Sequence, residues 1–98
     1  MHSYRIVWED EAKAREVELY VDYRLDAGVV NIGEIRPTQV TLYNVATKRA
    51  ERTLHVHTPT GRRLLAQAYL ASRETEQTLE EEILAAHELR DDTVVAGV

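Results

Sequence analysis

The chain has 98 residues, 44% of them hydrophobic and 30% charged, which fits a single domain over 1–98 with one core and leaves no room for a cofactor domain beside a substrate domain. There is no cysteine, which excludes disulfides, thiolate metal sites and a cysteine nucleophile, and it favours a reducing compartment, so a cytoplasmic location is expected. The net charge of −5 names no partner class. No apolar run approaches the roughly 18 residues of a membrane span, and Met1 to Arg5 lack the apolar stretch of a signal peptide, so no membrane partner is expected.

Tyr4 to Trp8 is rich in β-branched and aromatic residues, with Tyr4, Ile6 and Trp8 on one face, and reads as a first strand. Glu9 to Arg15 reads as a loop or one helical turn. Val17, Leu19, Val21, Tyr23 and Leu25 alternate with Glu18, Tyr20, Asp22 and Arg24, which predicts a second strand. Asp26-Ala27-Gly28 fits a hairpin turn of type I with a bulge. Val29 to Ile35 returns as a third strand, with Gly33 as a candidate bulge and Pro37 as its end. Val40 to Val45 is a fourth strand, and Arg52 to His57 a fifth. Thr58-Pro59-Thr60-Gly61 breaks the strand pattern.

Leu64, Leu65, Ala68, Tyr69 and Ser72 then repeat at helical spacing, and Leu79, Ile83 and Ala86 continue almost the same stripe. The helical region is 61–90, as one long helix or as two that meet near Ser72–Thr75. Thr78 with Glu81 forms a capping box, Thr75 is a second candidate cap, and two helices are favoured. Residues 91–98 read as a flexible tail. The predicted fold class is α+β: an antiparallel meander of about five strands over 1–57, with the helices packed on one sheet face. The predicted inner face is Ile6, Trp8, Val17, Leu19, Val21, Tyr23, Leu25, Val30, Ile32, Val40, Leu42, Leu54 and Val56.

The opposite face would then carry Val7, Tyr20, Val29, Ile35, Tyr43, Val45, His55 and His57. That is more apolar and aromatic than a solvated face needs, and tyrosine is favoured in interfaces. The competing reading is that a helix or the tail covers this face, or that a bulge at Gly33 turns Ile35 inward. Charge is also uneven. Lys48, Arg49, Arg52, Arg62 and Arg63 cluster against Glu51 alone, whereas the helical end is acidic. Bases beside tyrosines can bind single-stranded RNA, although bases paired with the acidic helix are the simpler reading.

His55 and His57 point the same way on a strand, as some metal ligands do, but solvent-facing histidines at a strand end are the plainer reading. No serine, threonine or carboxylate pattern matches a catalytic motif. No cofactor and no metal are expected. The candidate binding residues are Tyr20, Tyr43, Lys48, Arg49, Arg52, His55, His57, Arg62 and Arg63. The expected function is a non-enzymatic protein-interaction module, a homodimer being one form, that uses the outer sheet face and binds another protein or itself. The alternative is a single-stranded RNA-binding or other nucleic-acid-binding domain using the five clustered bases.

Overall fold

The computed structural model describes residues 1–73 and 76–96. Strand β1 (His2–Asp10) turns through a short 3-10 segment, Glu11–Lys13, into β2 (Arg15–Asp26). Strand β3 (Val29–Tyr43) and strand β4 (Ala50–His55) complete an antiparallel meander in the order β1-β2-β3-β4. Helices α1 (Pro59–Ser72) and α2 (Leu79–Ala96) follow. The α+β class holds, with four strands rather than about five.

The expected third and fourth strands are one. Residues Val29–Tyr43 run without a break through Pro37, which is fully buried opposite Leu19. A proline that cannot donate to a ladder is tolerated beside a bulge, and the β2–β3 register shifts there, between Glu18 and Leu19. The Thr38 hydroxyl donates to the Glu18 carbonyl oxygen at 3.2 Å and so satisfies a backbone acceptor at the irregularity. The last strand is also placed differently. It covers Ala50–His55, so His57 lies beyond it, and Val45 lies in the turn after β3.

The β2–β3 hairpin loop differs from the expected turn. Asp26 pairs directly with Val29, and Ala27 and Gly28 both have positive φ, 52° and 79°. That is the signature of a tight type I′ loop, whose twist matches that of the flanking strands.

Strand β2 supplies the centre of the core. Val17, Leu19, Val21 and Tyr23 are buried on one face, joined by Val30 and Val40 from β3 and by Tyr69, Leu79 and Ile83 from the helices. The predicted inner face agrees with this apart from Leu54 and Ile35, and from Tyr4 and Pro37, which that face also carries. Leu54 shares that side, opposite Val40, but is 38% exposed. Ile35, expected outside, packs on the core, because the register shift between Val21 and Tyr23 inserts one extra residue into β3 at Gly33–Glu34.

The helical region is two helices. Thr58 caps α1, accepting from the Gly61 amide at 3.0 Å, and Pro59 occupies the first turn. Thr78 caps α2 and accepts from the Glu81 amide at 3.1 Å. The alternative cap, Thr75, lies outside the described residues. Arg73 joins the two helices: its guanidinium donates to Tyr69 Oη at 2.7 Å and to Glu82 at 3.3 Å. At the far end of the sheet, Tyr23 Oη meets His87 Nδ1 at 3.1 Å, and the His2 ring stacks on Tyr23. Helix α2 runs through Ala96, within the stretch expected as a tail, while residues 97 and 98 lie outside the described residues. Among the described residues no helix is long and apolar enough to cross a membrane.

Ala27 stands in the left-handed region, which costs a non-glycine residue roughly 1–2 kcal/mol, whereas asparagine tolerates it. Ala27→Asn should therefore raise stability by about 1 kcal/mol in urea unfolding followed by Trp8 fluorescence. Ile83→Ala empties a fully buried site and should lower stability by about 2–5 kcal/mol in the same assay.

Candidate functional site

Among the described residues the helices pack on the core side of the sheet, and the opposite, outer face is not an apolar patch. Tyr20 lies at its middle, half-buried, with its hydroxyl donating to Glu18 at 3.2 Å and the Arg36 guanidinium 5.7 Å above its ring. Arg5 donates to Glu18 at 2.8 Å. Arg36 grips Asp22 with two bonds of 2.7 and 2.9 Å, and Ser3 donates to the same carboxylate at 2.7 Å. The result is a polar lattice across β1, β2 and β3. A partner seated on it must displace or desolvate paired charges, which is costly. Val7 and Val29 remain exposed, as single residues on opposite sides of the lattice rather than as a patch.

The lattice shifts proton affinities. The Arg36 bonds hold the Asp22 carboxyl below the usual carboxylate range, against the opposing effect of burial. The bond from Arg5 does the same for Glu18.

Tyr43 sits at the end of β3 and donates to Glu16 at 3.1 Å, which raises the phenol above its ordinary value. It lines a cleft of about 630 Å³ with Glu9, Glu11, Asn44, Val45 and Lys48. Lys48 and Arg49 are in the β3–β4 turn, Lys48 at a φ of 61°. His55 and His57 are exposed, with ring centroids 6.2 Å apart. No group of three or more metal-capable side chains comes together among the described residues.

The clustered bases divide by location. Arg52 pairs with Leu42 and so projects from the helix side of β4, opposite to the face that carries Tyr20. Arg63 is exposed in the first turn of α1. Arg62 is half-buried beside it, and its Nε is enclosed without an acceptor. The structure therefore does not bring Tyr20 and Tyr43 together with Arg52 on one surface.

A surface that the strand and helix patterns did not reveal lies between β4 and α1. It is an open groove of about 380 Å³ floored by Val40, Leu42 and Leu54 and walled by Gly61, Leu64, Leu65 and Ala68. Leu64 is 58% exposed. The wall is the helical stripe at 61, 64, 65 and 68, which the periodicity does contain. Its openness depends on what α2 leaves uncovered, which no local pattern reports. A Cβ on Gly61 would lie 2.8 Å from Thr58 Oγ1 and 3.6 Å from Val56, so the missing side chain lets the first turn of α1 close on the end of β4. The charged residues lining the groove, Lys13 and Arg15, are both bases, and Arg15 is held by Asp10 at 2.8 Å.

Beside the groove runs the free edge of the sheet. Every residue of β4 is exposed. The Val56 amide donates to the Thr38 carbonyl oxygen, so Leu54 and Arg52, two and four residues earlier, also turn their amides toward β3. The amides and carbonyls of Thr53 and His55 then face outward, along an edge that no strand occupies among the described residues.

No protein-family model, no curated protein and no solved structure matches this chain.

The lattice on the outer face predicts an acid-dependent stability term. Asp22 binds its proton less readily in the folded chain than in the unfolded one. Its contribution is complete above the unfolded value of about 4 and is lost as pH falls through the lower, folded value. Asp22→Asn should thus be less stable than the parent at about pH 6 and should converge with it toward about pH 2, as read from urea midpoints. A constant gap across that range would contradict the assignment.

Proposed function

We propose that this chain is a protein-interaction module whose docking surface is the free edge of β4 together with the adjoining groove, rather than the outer sheet face. The occupant is an extended segment of another protein, added as a fifth strand. The observation that carries this reading is that every residue of β4 is exposed next to an open aliphatic groove. Strand addition uses outward backbone groups for affinity and pockets for alternate side chains for specificity. Both are supported here, by Thr53 and His55 on the edge and by Leu54 and Leu64 beside it. At the other edge, β1, the helix-side residues Tyr4, Ile6 and Trp8 are packed on the core.

A second copy of the chain is the weaker occupant. Pairing β4 to β4 gathers Arg52, Lys48, Arg49, Arg62 and Arg63 of both copies around one seam, and like charges repel there. Single-stranded RNA is also the weaker occupant, because Tyr20 and Tyr43 are engaged by Glu18 and Glu16 and lie away from Arg52. The reading involves no catalytic step and no cofactor. It suits a reducing compartment such as the cytoplasm, as the lack of cysteine does.

The chain should sediment as a monomer from micromolar to millimolar concentration, and a dimer that Arg52→Glu strengthens would reverse the choice of occupant. A random-peptide display selection against the chain should enrich extended sequences whose binding falls at least about tenfold with Leu54→Lys or Leu64→Lys, both exposed positions. Failure to enrich any sequence, or binding that ignores both changes while the fold is intact by circular dichroism, overturns the reading.

A further inference from the structure

We infer that the segment β4 receives is acidic, with the pattern acid–x–aliphatic–x–acid across five residues, an inference that rests on the docking surface proposed above.

The pattern comes from the residues that β4 presents on the groove side. Arg52, Leu54 and Val56 alternate there, opposite Leu42, Val40 and Thr38. A fifth strand alternates in step with β4, so three of its side chains, two residues apart, fall beside these three. The central one arrives beside Leu54, over the groove where Leu64 is open, and an aliphatic side chain gains most from burial there. One neighbour falls beside Arg52. Arg52 makes no ion pair among the described residues, so a carboxylate is the matching group. The other neighbour falls beside Val56, which lies against Gly61 at the start of α1. There Arg63 is exposed, and Arg62 has an enclosed Nε without an acceptor. With Arg62 and Arg63 at the start of α1 and no acid in its first turn, the local potential is positive and favours an incoming carboxylate.

The pattern reads the same in both directions. It therefore holds whether the added strand runs parallel or antiparallel to β4. The two residues between the three groove-side positions face Thr53 and His55 on the other side of the sheet and are left unspecified.

Four labelled probes, titrated into the full chain at low salt and followed by fluorescence anisotropy, test the inference. They are a dodecapeptide with a central Glu-Thr-Leu-Thr-Glu, the same peptide with both Glu as Gln, the same peptide with Leu as Ser, and a single-stranded RNA. The acidic peptide should bind, and the double-Gln peptide should bind about tenfold more weakly, each exposed ion pair being worth about threefold. Added salt should weaken the first and leave the second nearly unchanged. The chain carrying both Arg52→Glu and Arg63→Glu should lose the acidic peptide and take a Lys-Thr-Leu-Thr-Lys peptide in its place. That gain cannot come from misfolding.

Equal affinity for the Glu and Gln peptides overturns the acidic preference and leaves strand docking intact. Equal affinity for the Leu and Ser peptides overturns the aliphatic centre. If no peptide of any charge binds, the docking surface and its specificity fall together. RNA binding that Arg52→Glu abolishes, without peptide binding, assigns these bases to nucleic acid and overturns the inference.

Discussion

The structure depends on the pairing of β2 with β3, and on two bulges that keep that pair one-sided. An uninterrupted strand of 15 residues alternates its side chains strictly. In β3 the core-facing residues are Val30 and Ile32, then Ile35 and Pro37, then Val40 and Leu42. They change parity at Gly33–Glu34 and change back at Thr38. Each register shift adds one residue to β3, so the second restores the facing parity that the first reverses. Without both, either Ile35 and Pro37 or Val40 and Leu42 would face water. Strand β2 needs no such device, since its odd-numbered residues from Val17 to Tyr23 are buried in one run.

That long, one-sided hairpin sets a covering problem for the helices. At about 3.3 Å per residue β3 reaches about 45 Å, whereas the 14 residues of α1 at about 1.5 Å each reach about 21 Å. Two helices are therefore laid along the sheet and joined at Arg73. α1 packs Tyr69 near Trp8, with ring centroids 5.8 Å apart, and α2 packs Ile83 into the core and sets His87 on Tyr23. The β2–β3 hairpin takes most of this cover. Strand β4, short and at the edge, receives only the first turns of α1, and the groove is what remains between them. The charges separate along the same division. Opposite charges neutralise each other on the outer face, while Arg52 on β4 and Arg63 on α1 have no carboxylate partners among the described residues.

Much of this arrangement is legible from local residue patterns. The period of two from Val17 to Leu25 defines β2, and the Thr78–Glu81 capping box marks the start of α2. The split between sheet and helix falls at Thr58–Gly61, where the Thr58 cap is found. What is not legible depends on a partner strand or on coverage. Pro37 reads as a stop because its missing amide is a local fact, whereas the bulge that accommodates it belongs to the pairing with Glu18 and Leu19. Tyr43 reads as open because Glu16, which holds its hydroxyl, reaches it only through the β2–β3 register, and Tyr20 because the Arg36 over its ring comes from β3, although its Glu18 partner is only two residues away on β2. The groove is the difference between the sheet's area and the helices' reach, which no window of sequence contains. Gly33 was the one position where sequence pointed to such a non-local feature, since a glycine inside a strand marks a bulge.

The most direct test of β4 as the docking edge is amide hydrogen exchange, residue by residue, with and without the acidic dodecapeptide. Addition of a fifth strand predicts that the Thr53 and His55 amides, which face outward in the free chain, become strongly protected, while the amides of Arg52 and Leu54, already turned toward β3, change little. Protection that appears instead along β1, or on no strand while the peptide is bound, would contradict docking at this edge.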